Sequence, residues 1–461
     1  MTPTERVLQA RVDTLERENA SLRAENARLR EALEAAQRTA KRQAAPFSRN
    51  QPTANPKRPG RKAGAQYGAQ AQRPIPARVD ETIPVPVPAT CTCGGPVVPE
   101  DTCPQFQEDI VRRTVVRRFD VGVGTCRRCG RRVQGRHPLQ TSDARGVGQV
   151  QVGPDAIALA TQLTKGLGVS HGKAATVLRD GYGLTVSRSG LCRAIQRLGT
   201  KAAPTYDALV QATQTSLLVW IDETGWRVGG RLQWLWVAVS EQATVFAIQP
   251  GRGFDQAAAL LGAEYEGILH HDGWRSYYTF PRAFHQSCIA HVVRRCEELI
   301  TRGSRAAAWF PQAVLDLVQR GLALRDRCEA GTITPHGLAV ATGRLDAALG
   351  RLLARPVRTP ENRRLAKHLD HERPHLFTFL HCPGVHATNN VAERALRPAI
   401  CARKTWGGNR TARGARTQQI LVSVITTCRQ QGRDVFAALV ALLRAPRAEP
   451  LDLVPRDAAP P

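Results

Sequence analysis

Three carboxylates on separate segments of the sequence have the chemistry to bind divalent metal ions: Asp222, Asp272 and Glu393. Hard cations such as Mg²⁺ prefer oxygen ligands, and carboxylates supply the charged ones. Two such ions held about 3.5–4 Å apart can clamp the attacking and leaving oxygens of a phosphoryl transfer. The three acids therefore predict a metal site suited to phosphoryl transfer.

Each of these acids is predicted to end or to open an element of secondary structure. Residues 217–221 are apolar and rich in strand formers, so we predict a buried strand that ends at Asp222. Residues 268–271 predict a second strand, which ends at Asp272. Glu393 lies at the predicted start of a helix. A core made of these elements would hold the acids in place.

Simpler interpretations of the same residues are open at this point. An Asp at the end of a strand is often a turn residue. Glu393 follows Asn390 by three positions, which is the spacing of a helix capping box. Spacing alone does not decide between these roles and a metal site.

A longer series of motifs resembles the insertion sequence 66 (IS66) family of bacterial transposases, in order from about Val150 to Leu443. The motifs are Asp222–Val228, Trp234–Val237, Cys288–His291, Asn362–Lys367, Leu376–Leu380, Pro383–Val385 and Thr388–Pro398. The resemblance implies an α/β, ribonuclease-H-like domain with a DDE active site. It carries the catalytic acids over to Asp222, Asp272 and Glu393, which would bind Mg²⁺ or Mn²⁺.

The resemblance also implies a function. A transposase of an insertion sequence binds double-stranded DNA at the ends of the element and at a target, and catalyses cleavage and strand transfer. A homodimer or larger assembly is expected, and other products of the same element are candidate partners. Two alternatives stay open: a metal nuclease without strand transfer, and a zinc-containing DNA-binding regulator with a decayed catalytic domain. The presence of all three acids argues against decay.

Composition agrees with a nucleic-acid partner. The 461 residues carry a net charge of +26, and Arg makes up most of the 65 basic residues. Arg binds phosphate through two parallel hydrogen bonds, although a GC-rich genome also enriches Arg. No apolar stretch is long enough to span a membrane, and we predict a cytoplasmic, nucleoid-associated protein. The 12 Cys are expected to be reduced thiols.

The N-terminal residues 1–40 are predicted to form a coiled coil, followed by a basic, Pro-rich linker over residues 41–90. Leucines recur at heptad spacing, and the positions between them include two Asn that favour a parallel dimer. These heptad residues are Leu8, Val12, Leu15, Asn19, Leu22, Asn26, Leu29 and Leu33. The alternative is an amphipathic helix packed on its own chain.

A zinc-binding module is predicted over residues 91–140. Four thiolates suit a tetrahedral structural Zn²⁺. The predicted ligands are Cys91, Cys93, Cys126 and Cys129. The IS66 family normally has a C-x₂-C pair in both halves, whereas the first pair here is C-x-C, so Cys103 is an alternative ligand. Two unrelated Cys pairs are the simpler interpretation.

Clusters of basic residues predict DNA contacts in two regions. Nine Arg lie between Arg112 and Arg136 with only Asp120 opposing them, and nine cations follow between Arg394 and Arg433 without an acid. A glycine pair at residues 407–408 suits a phosphate-binding loop. The predicted DNA-binding residues are Arg127, Arg128, Arg131, Arg132, Arg403, Lys404 and Arg410.

The remaining regions are assigned by pattern. Residues 150–205 are predicted to be helical, with Ser170 and Ser187 as N-caps, and either to bind DNA as a helix-turn-helix or to pack beneath the catalytic domain. The catalytic domain is predicted over residues 215–445, with a helical insertion over about 303–385. Residues 446–461 are predicted to be a disordered tail. Cys288 and His291 are expected to support the active site without binding metal.

The coiled-coil pattern generates the first prediction. Deletion of residues 1–40 should shift the mass of the protein in solution toward that of a monomer, because the paired heptad positions are lost. Light scattering coupled to size exclusion measures this mass. An unchanged oligomer would place the dimer interface elsewhere in the chain.

Overall fold

The computed structural model describes residues 11, 15, 16, 18–30, 75–111, 113–140, 151–304, 307–382 and 384–454. The chain divides into two compact units, Met1–Arg113 and Thr114–Pro461. In the first unit residues 18–30 are helical. Leu15, Leu22 and Leu29 are exposed there. Leu8, Val12 and Leu33, with residues 41–74 of the linker, lie outside the described residues, so the coiled coil stays a prediction.

A five-stranded mixed sheet forms the centre of the second unit, after a small hairpin of β1 and β2. The strands are β1 (Val123–Thr125), β2 (Arg132–Gln134), β3 (Leu218–Val228), β4 (Arg231–Val239), β5 (Thr244–Gln249), β6 (Ile268–His271) and β7 (Phe284–Ser287). The sheet order is β5-β4-β3-β6-β7. β3, β4 and β5 pair antiparallel, whereas β6 and β7 run parallel to β3.

Helices cover the sheet and form a separate helical region. They are α1 (Pro154–Thr161), α2 (His171–Tyr182), α3 (Arg188–Lys201), α4 (Ala203–Gln214), α5 (Phe254–Leu261), α6 (Ile289–Arg302), α7 (Trp309–Glu329), α8 (Pro335–Leu353), α9 (Pro360–Glu372), α10 (Asn390–Trp406), α11 (Ala412–Gln430) and α12 (Val435–Arg444). A π-helical turn, Gln162–Gly166, follows α1, and short 3₁₀ turns follow β6 and α9. None of the described helices is both long and apolar enough to cross a bilayer.

The strand that carries Asp222 is longer than the sequence pattern indicates. We predicted that it ends at Asp222, but β3 continues to Val228 and turns back into β4 through Gly229 and Gly230. Both glycines have positive φ, as a two-residue hairpin of this hand requires. The polarity break at Asp222 is therefore a feature inside a strand, and the Gly-Gly pair is the signal for its end.

The helices before the sheet confirm the predicted N-caps. Ser170 Oγ accepts a hydrogen bond from Lys173 N, and Ser187 Oγ accepts one from Gly190 N. The apolar face of α3 is buried in the same core as the sheet. This packing agrees with the interpretation that the region supports the catalytic domain. Arg193 on α3 stays exposed, so a DNA contact remains a prediction.

The segment between β7 and α10 is helical, as predicted for the insertion. Helices α7, α8 and α9 pack with α6 around their own apolar cluster, in which Phe310, Leu345 and Leu365 are fully buried or nearly so. Cys288 and Asn389 flank this region and connect it to the sheet. The insertion is therefore a second core attached at the end of the sheet that carries Asp272.

The free edge of β5 is covered by polar side chains of α11 at i, i+4 and i+8. Gln419 Oε1 accepts from Ile248 N, Ser423 Oγ from Phe246 N and Thr427 Oγ1 from Thr244 N, at 3.1, 2.8 and 3.1 Å. These backbone N–H groups would otherwise be open to another strand. The helix thus closes the sheet at this edge.

The predicted disordered tail is wrong for residues 446–454. Leu453 is buried in the core, and Leu451 N donates to Thr205 Oγ1 at 2.9 Å. Gln431 Nε2 donates to Leu453 O at 2.6 Å. Two leucines are enough to anchor this short segment, although its composition is rich in Pro and Ala. Residues 455–461 lie outside the described residues.

The edge of β5 generates the second prediction. Ser423→Ala should lower the free energy of unfolding by about 1–3 kcal/mol, because Phe246 N–H is left buried without an acceptor. Urea unfolding measures the change. Thr301→Ala is the matched control, because Thr301 is exposed and its hydroxyl bonds only within its own helix. Equal losses in the two variants would contradict the proposed role of the Ser423 hydroxyl.

Candidate active site

The register of the sheet brings Asp222 and Asp272 to the same level in neighbouring strands. β3 and β6 are parallel, and Trp220 pairs with His270. Each Asp lies two residues beyond this pair, on chains that are about 4.8 Å apart in a sheet. Asp272 follows the last residue of β6, and its Oδ1 accepts a hydrogen bond from Trp274 N at 2.9 Å. Pairing of two buried strands therefore positions two of the predicted acids.

The third acid, Glu393, lies in the first turn of α10, whose start is fixed to β3. Asn389 is completely buried, and its Nδ2 donates to Ile221 O at 2.8 Å. Its backbone N–H donates to Cys288 Sγ at 3.1 Å, at the start of α6. The N-termini of α6 and α10 thus meet beside Asp222. The partial positive charge of helix N-termini favours anions at this position.

The capping-box alternative for Glu393 does not match the structure. The N-cap of α10 is Asn389 rather than Asn390, and no side chain caps the helix. Glu393 Oε1 is buried without a hydrogen-bond partner among the described residues. The Glu393 carboxylate therefore does not cap the N-terminus of α10.

The electrostatics of Asp222 reflect the other acids. The pKa of Asp222 is raised to about 8, chiefly by burial and in addition by the charges of Glu223, Asp272 and Glu393. Both of the other predicted acids therefore act on Asp222 through space. A cation at this place would relieve the repulsion that keeps the Asp222 carboxyl protonated.

The ligand atoms of Asp222, Asp272 and Glu393 do not form a single tight cluster. Among the described residues, one group of three candidate ligand atoms lies within 4.8 Å of one another, and it consists of Cys288, His291 and Glu393. Asp222, Asp272 and Glu393 together do not form such a group. A pair of ions about 3.5–4 Å apart requires ligands spread over a larger space than one ion does.

A buried ion pair on the opposite face of β3 was not predicted from the sequence. Glu223 accepts hydrogen bonds from Arg252 Nε and from the Tyr277 hydroxyl. Arg252 Nη2 also lies 3.7 Å from Asp272 Oδ2, and its guanidinium stacks 4.0 Å from the centre of the Trp274 ring. Arg252 therefore links the buried acid behind β3 to Asp272. The only sequence signal was an Arg between two glycines beside a strand.

The basic residues near the end of β3 are used in two ways. Arg403 Nη1 donates to Thr224 Oγ1 at 3.2 Å and to Gly225 O, and burial lowers the pKa of Arg403. This side chain is therefore held by the protein itself. Lys404 and Arg410 are exposed, as a DNA contact requires.

The glycine loop after α10 docks on β3 instead of standing open. Asn409 N donates to Arg227 O at 2.9 Å, and Asn409 Oδ1 accepts from Trp226 Nε1 at 2.8 Å. Gly408 has φ +114°, and a Cβ there would overlap the Arg227 carbonyl. The loop therefore contributes to packing against β3, and its role in binding phosphate stays a prediction.

The two halves of the predicted zinc module lie in the two separate units. Cys126 and Cys129 flank the turn between β1 and β2, where Cys126 N donates to Arg131 O at 2.8 Å. Hydrogen bonds from the backbone of Cys129 and Arg128 lower the pKa of Cys126. Hydrogen bonds involving Cys93 lower the pKa of Cys91, and Cys103 is exposed. Arg127, Arg128, Arg131 and Arg132 are all exposed around the turn.

Comparison with known proteins identifies the family of this chain. A model of the transposase IS66 family matches residues 150–417, which is more than half of the chain. The chain belongs to this family. The match covers β3 to β7, α10 and the insertion, and thus every element that carries Asp222, Asp272 and Glu393.

Two curated relatives of this IS66-family chain come from Sinorhizobium fredii (strain NBRC 101917 / NGR234). The uncharacterized protein y4qI is 26% identical over 292 residues, which cover 56% of this chain and 53% of the relative. The uncharacterized protein y4jD is 25% identical over 295 residues, which cover 57% of each. The chain thus spans little more than half the length of the curated relatives it matches.

The raised pKa of Asp222 generates the third prediction. In the folded protein this carboxyl keeps its proton up to about pH 8, whereas the unfolded chain loses it near pH 4, so the free energy of unfolding falls as pH rises between these values. Asp222→Asn removes this penalty. In EDTA it should raise the free energy of unfolding by roughly 2–5 kcal/mol at about pH 9, and by less near pH 5.

Thermal or urea unfolding at both pH values measures the effect. Asp255→Asn is the control, because Asp255 is an exposed acid in the first turn of α5 and its removal should give no pH-dependent gain. A gain of equal size at both pH values for Asp222→Asn would contradict the pKa explanation.

Proposed function

We propose that this chain is a DDE transposase that binds the ends of an insertion sequence and catalyses metal-dependent DNA cleavage and strand transfer. One observation carries the proposal: Asp222 and Asp272 are half-buried and each lies two residues beyond the paired Trp220 and His270, and the pKa of Asp222 responds to both Asp272 and Glu393. Three acids from separate elements thus share one electrostatic site within the region that matches the family.

The sheet supports a ribonuclease-H-like fold for this domain. Three antiparallel strands are followed by two strands parallel to the first, with the central β3 bearing the first acid and β6 leading into the second. The third acid is on a helix that packs against β3. This is the arrangement that the family resemblance implies.

The three acids fit a divalent cation of the Mg²⁺ class. Their donors are carboxylate oxygens, which are the charged ligands that such hard cations prefer. Asp222 and Asp272 would hold the ions together, and Glu393 would complete the site. Bound there, Mg²⁺ or Mn²⁺ would lower the pKa of water and stabilise the charge that develops on the transferring phosphate.

The residues of the chain have distinct tasks in this proposal. Asp222 must lose its proton to hold a cation, and the meeting helix N-termini beside it favour the charged form. Asn389 fixes the start of α10 to β3 and so sets the position of Glu393. Arg252 limits the movement of Asp272 through its contact with the carboxylate and its stacking on Trp274. Orientation of this kind supplies much of the rate of phosphoryl transfer.

Exposed basic residues would bind the DNA backbone. We propose phosphate contacts by Lys404 and Arg410 near the site and by the four Arg around the turn between β1 and β2. Zn²⁺ at Cys126 and Cys129, completed by two of Cys91, Cys93 and Cys103, would order that turn. The coiled coil would pair two chains, and nucleoid association would follow from DNA binding.

The rival functions differ in what they require of the site. A DNA-binding regulator has no need for Asp222 to lie among other acids, where its pKa is raised. Metal chemistry does need such a group of carboxylates. A nuclease needs the same site, so the two enzymes differ only in whether cleaved ends are joined to a second duplex. The family membership favours joining.

The fourth prediction concerns the chemistry. Asp222→Asn, Asp272→Asn and Glu393→Gln should each lose Mg²⁺-dependent nicking and joining by several orders of magnitude, because a hard cation loses a charged ligand. Each variant should still fold and still retard a labelled duplex that carries the ends of the element. Gel assays of binding, nicking and joining measure the three properties in parallel.

Asp255→Asn is the matched control and should keep all three properties. Glu223→Gln is not a neutral control, because Glu223 holds Arg252, which contacts Asp272. It should reduce activity less than Asp272→Asn does. Loss of DNA binding together with cleavage in the three acid variants would instead indicate a structural role.

A further inference from the structure

A second cluster of ligand-type atoms lies beside the proposed active site and shares one residue with it. Cys288, His291 and Glu393 each place one ligand atom within 4.8 Å of the other two. Cys288 precedes α6, His291 lies in its first turn, and Glu393 lies in the first turn of α10. The positions of these three residues are therefore set by the N-termini of α6 and α10.

Two of these atoms have no hydrogen-bond partner among the described residues. His291 Nδ1 and Glu393 Oε1 are both buried and unpaired. They lie 4.0 Å apart, which is too long for a direct hydrogen bond. Asn389 Oδ1 is a third buried polar atom without a partner in the described part of the chain. Unpaired buried polar atoms of this kind call for an explanation, and a bound cation would satisfy an imidazole nitrogen and a carboxylate oxygen together.

We propose that Cys288, His291 and Glu393 form a binding site for a thiophilic divalent cation of the zinc class. Thiolate, imidazole and carboxylate are the three ligand types that Zn²⁺ takes in proteins. At tetrahedral Zn²⁺, ligand atoms lie about 3.3–3.6 Å apart, so the side chains need to close by at most about 1.5 Å. A fourth position remains for water or for Asn389 Oδ1.

The surroundings of the sulfur fit this assignment. Asn389 N donates to Cys288 Sγ at 3.1 Å, and the backbone N–H groups of Ala290 and His291 also point toward it. Burial raises the pKa of the Cys288 thiol, and these backbone donors, together with a helix N-terminus, act in the opposite direction and favour a thiolate. Cys288 would release its proton to solvent when the ion binds. The histidines on β6 and β7 are already used, since His270 Nε2 bonds to His386 O and His271 Nε2 bonds to His285 Nδ1.

The inference rests on the proposed function in one respect, because Glu393 would serve both sites. A carboxylate has two oxygens, and Oε1 faces His291. The second oxygen is free to complete the Mg²⁺ site with Asp222 and Asp272. The zinc-class ion would therefore hold Glu393 in place, and it would be separate from the ions that take part in cleavage.

Cobalt substitution of the full-length protein tests the proposal. Co²⁺ bound to a thiolate gives a near-ultraviolet charge-transfer band, which sites made only of oxygen ligands do not give. With excess Mg²⁺ present, the parent protein should show a thiolate band that Cys288→Ser reduces by the equivalent of one ion. Thiolates of the separate predicted zinc module contribute equally to both proteins, so the difference spectrum reports Cys288 alone.

Three further variants complete the design. Cys296→Ser is the matched control, because Cys296 is a fully buried thiol on the same helix, and it should keep the full band. His291→Gln should weaken Co²⁺ binding at least tenfold, and it covers the case that Cys288→Ser does not fold. Asp272→Asn should keep the band while losing Mg²⁺-dependent nicking, so the proposed active site and this site fail independently. An unchanged band in both Cys288→Ser and His291→Gln would overturn the inference.

Discussion

Repulsion between closely placed, half-buried carboxylates is the constraint that the centre of this fold must satisfy. Asp222 is placed where burial and three neighbouring acids oppose its ionisation. The chain offsets part of this cost with fixed structure: Glu223 N donates to Asp222 Oδ1 at 2.8 Å, and Arg252 is shared between Glu223 and Asp272. In the proposed function, a bound cation would offset the remaining cost.

β3 carries this arrangement because its two faces have different surroundings. Asp222 faces the starts of α6 and α10, whereas Glu223 is buried against Tyr277 and Arg252 on the other face. Adjacent residues in a strand point in opposite directions, so two carboxylates one position apart take part in separate interactions. Arg252 links the two faces of β3, because it contacts both Glu223 and Asp272.

Local sequence patterns predicted most of this fold, because apolar strands and Ser-capped helices depend on nearby residues. The start of β3, the strand β6 and the caps at Ser170 and Ser187 are examples. Features that depend on contacts distant in the sequence were not found: the Glu223–Arg252 pair, the Asn389 contact with Ile221 and the anchoring of Leu453. The proposed role of the three acids came from the family motifs, since spacing alone left that role ambiguous.

The contact of α11 with β5 has a consequence for synthesis of the chain on the ribosome. Strand β5 emerges well before Gln419, Ser423 and Thr427 exist to accept its outward N–H groups. Until then the nascent domain exposes an open strand edge, which is prone to pair with other chains. Chaperone binding or rapid completion must protect this interval. A chain truncated before α11 would keep this edge open and is therefore expected to aggregate.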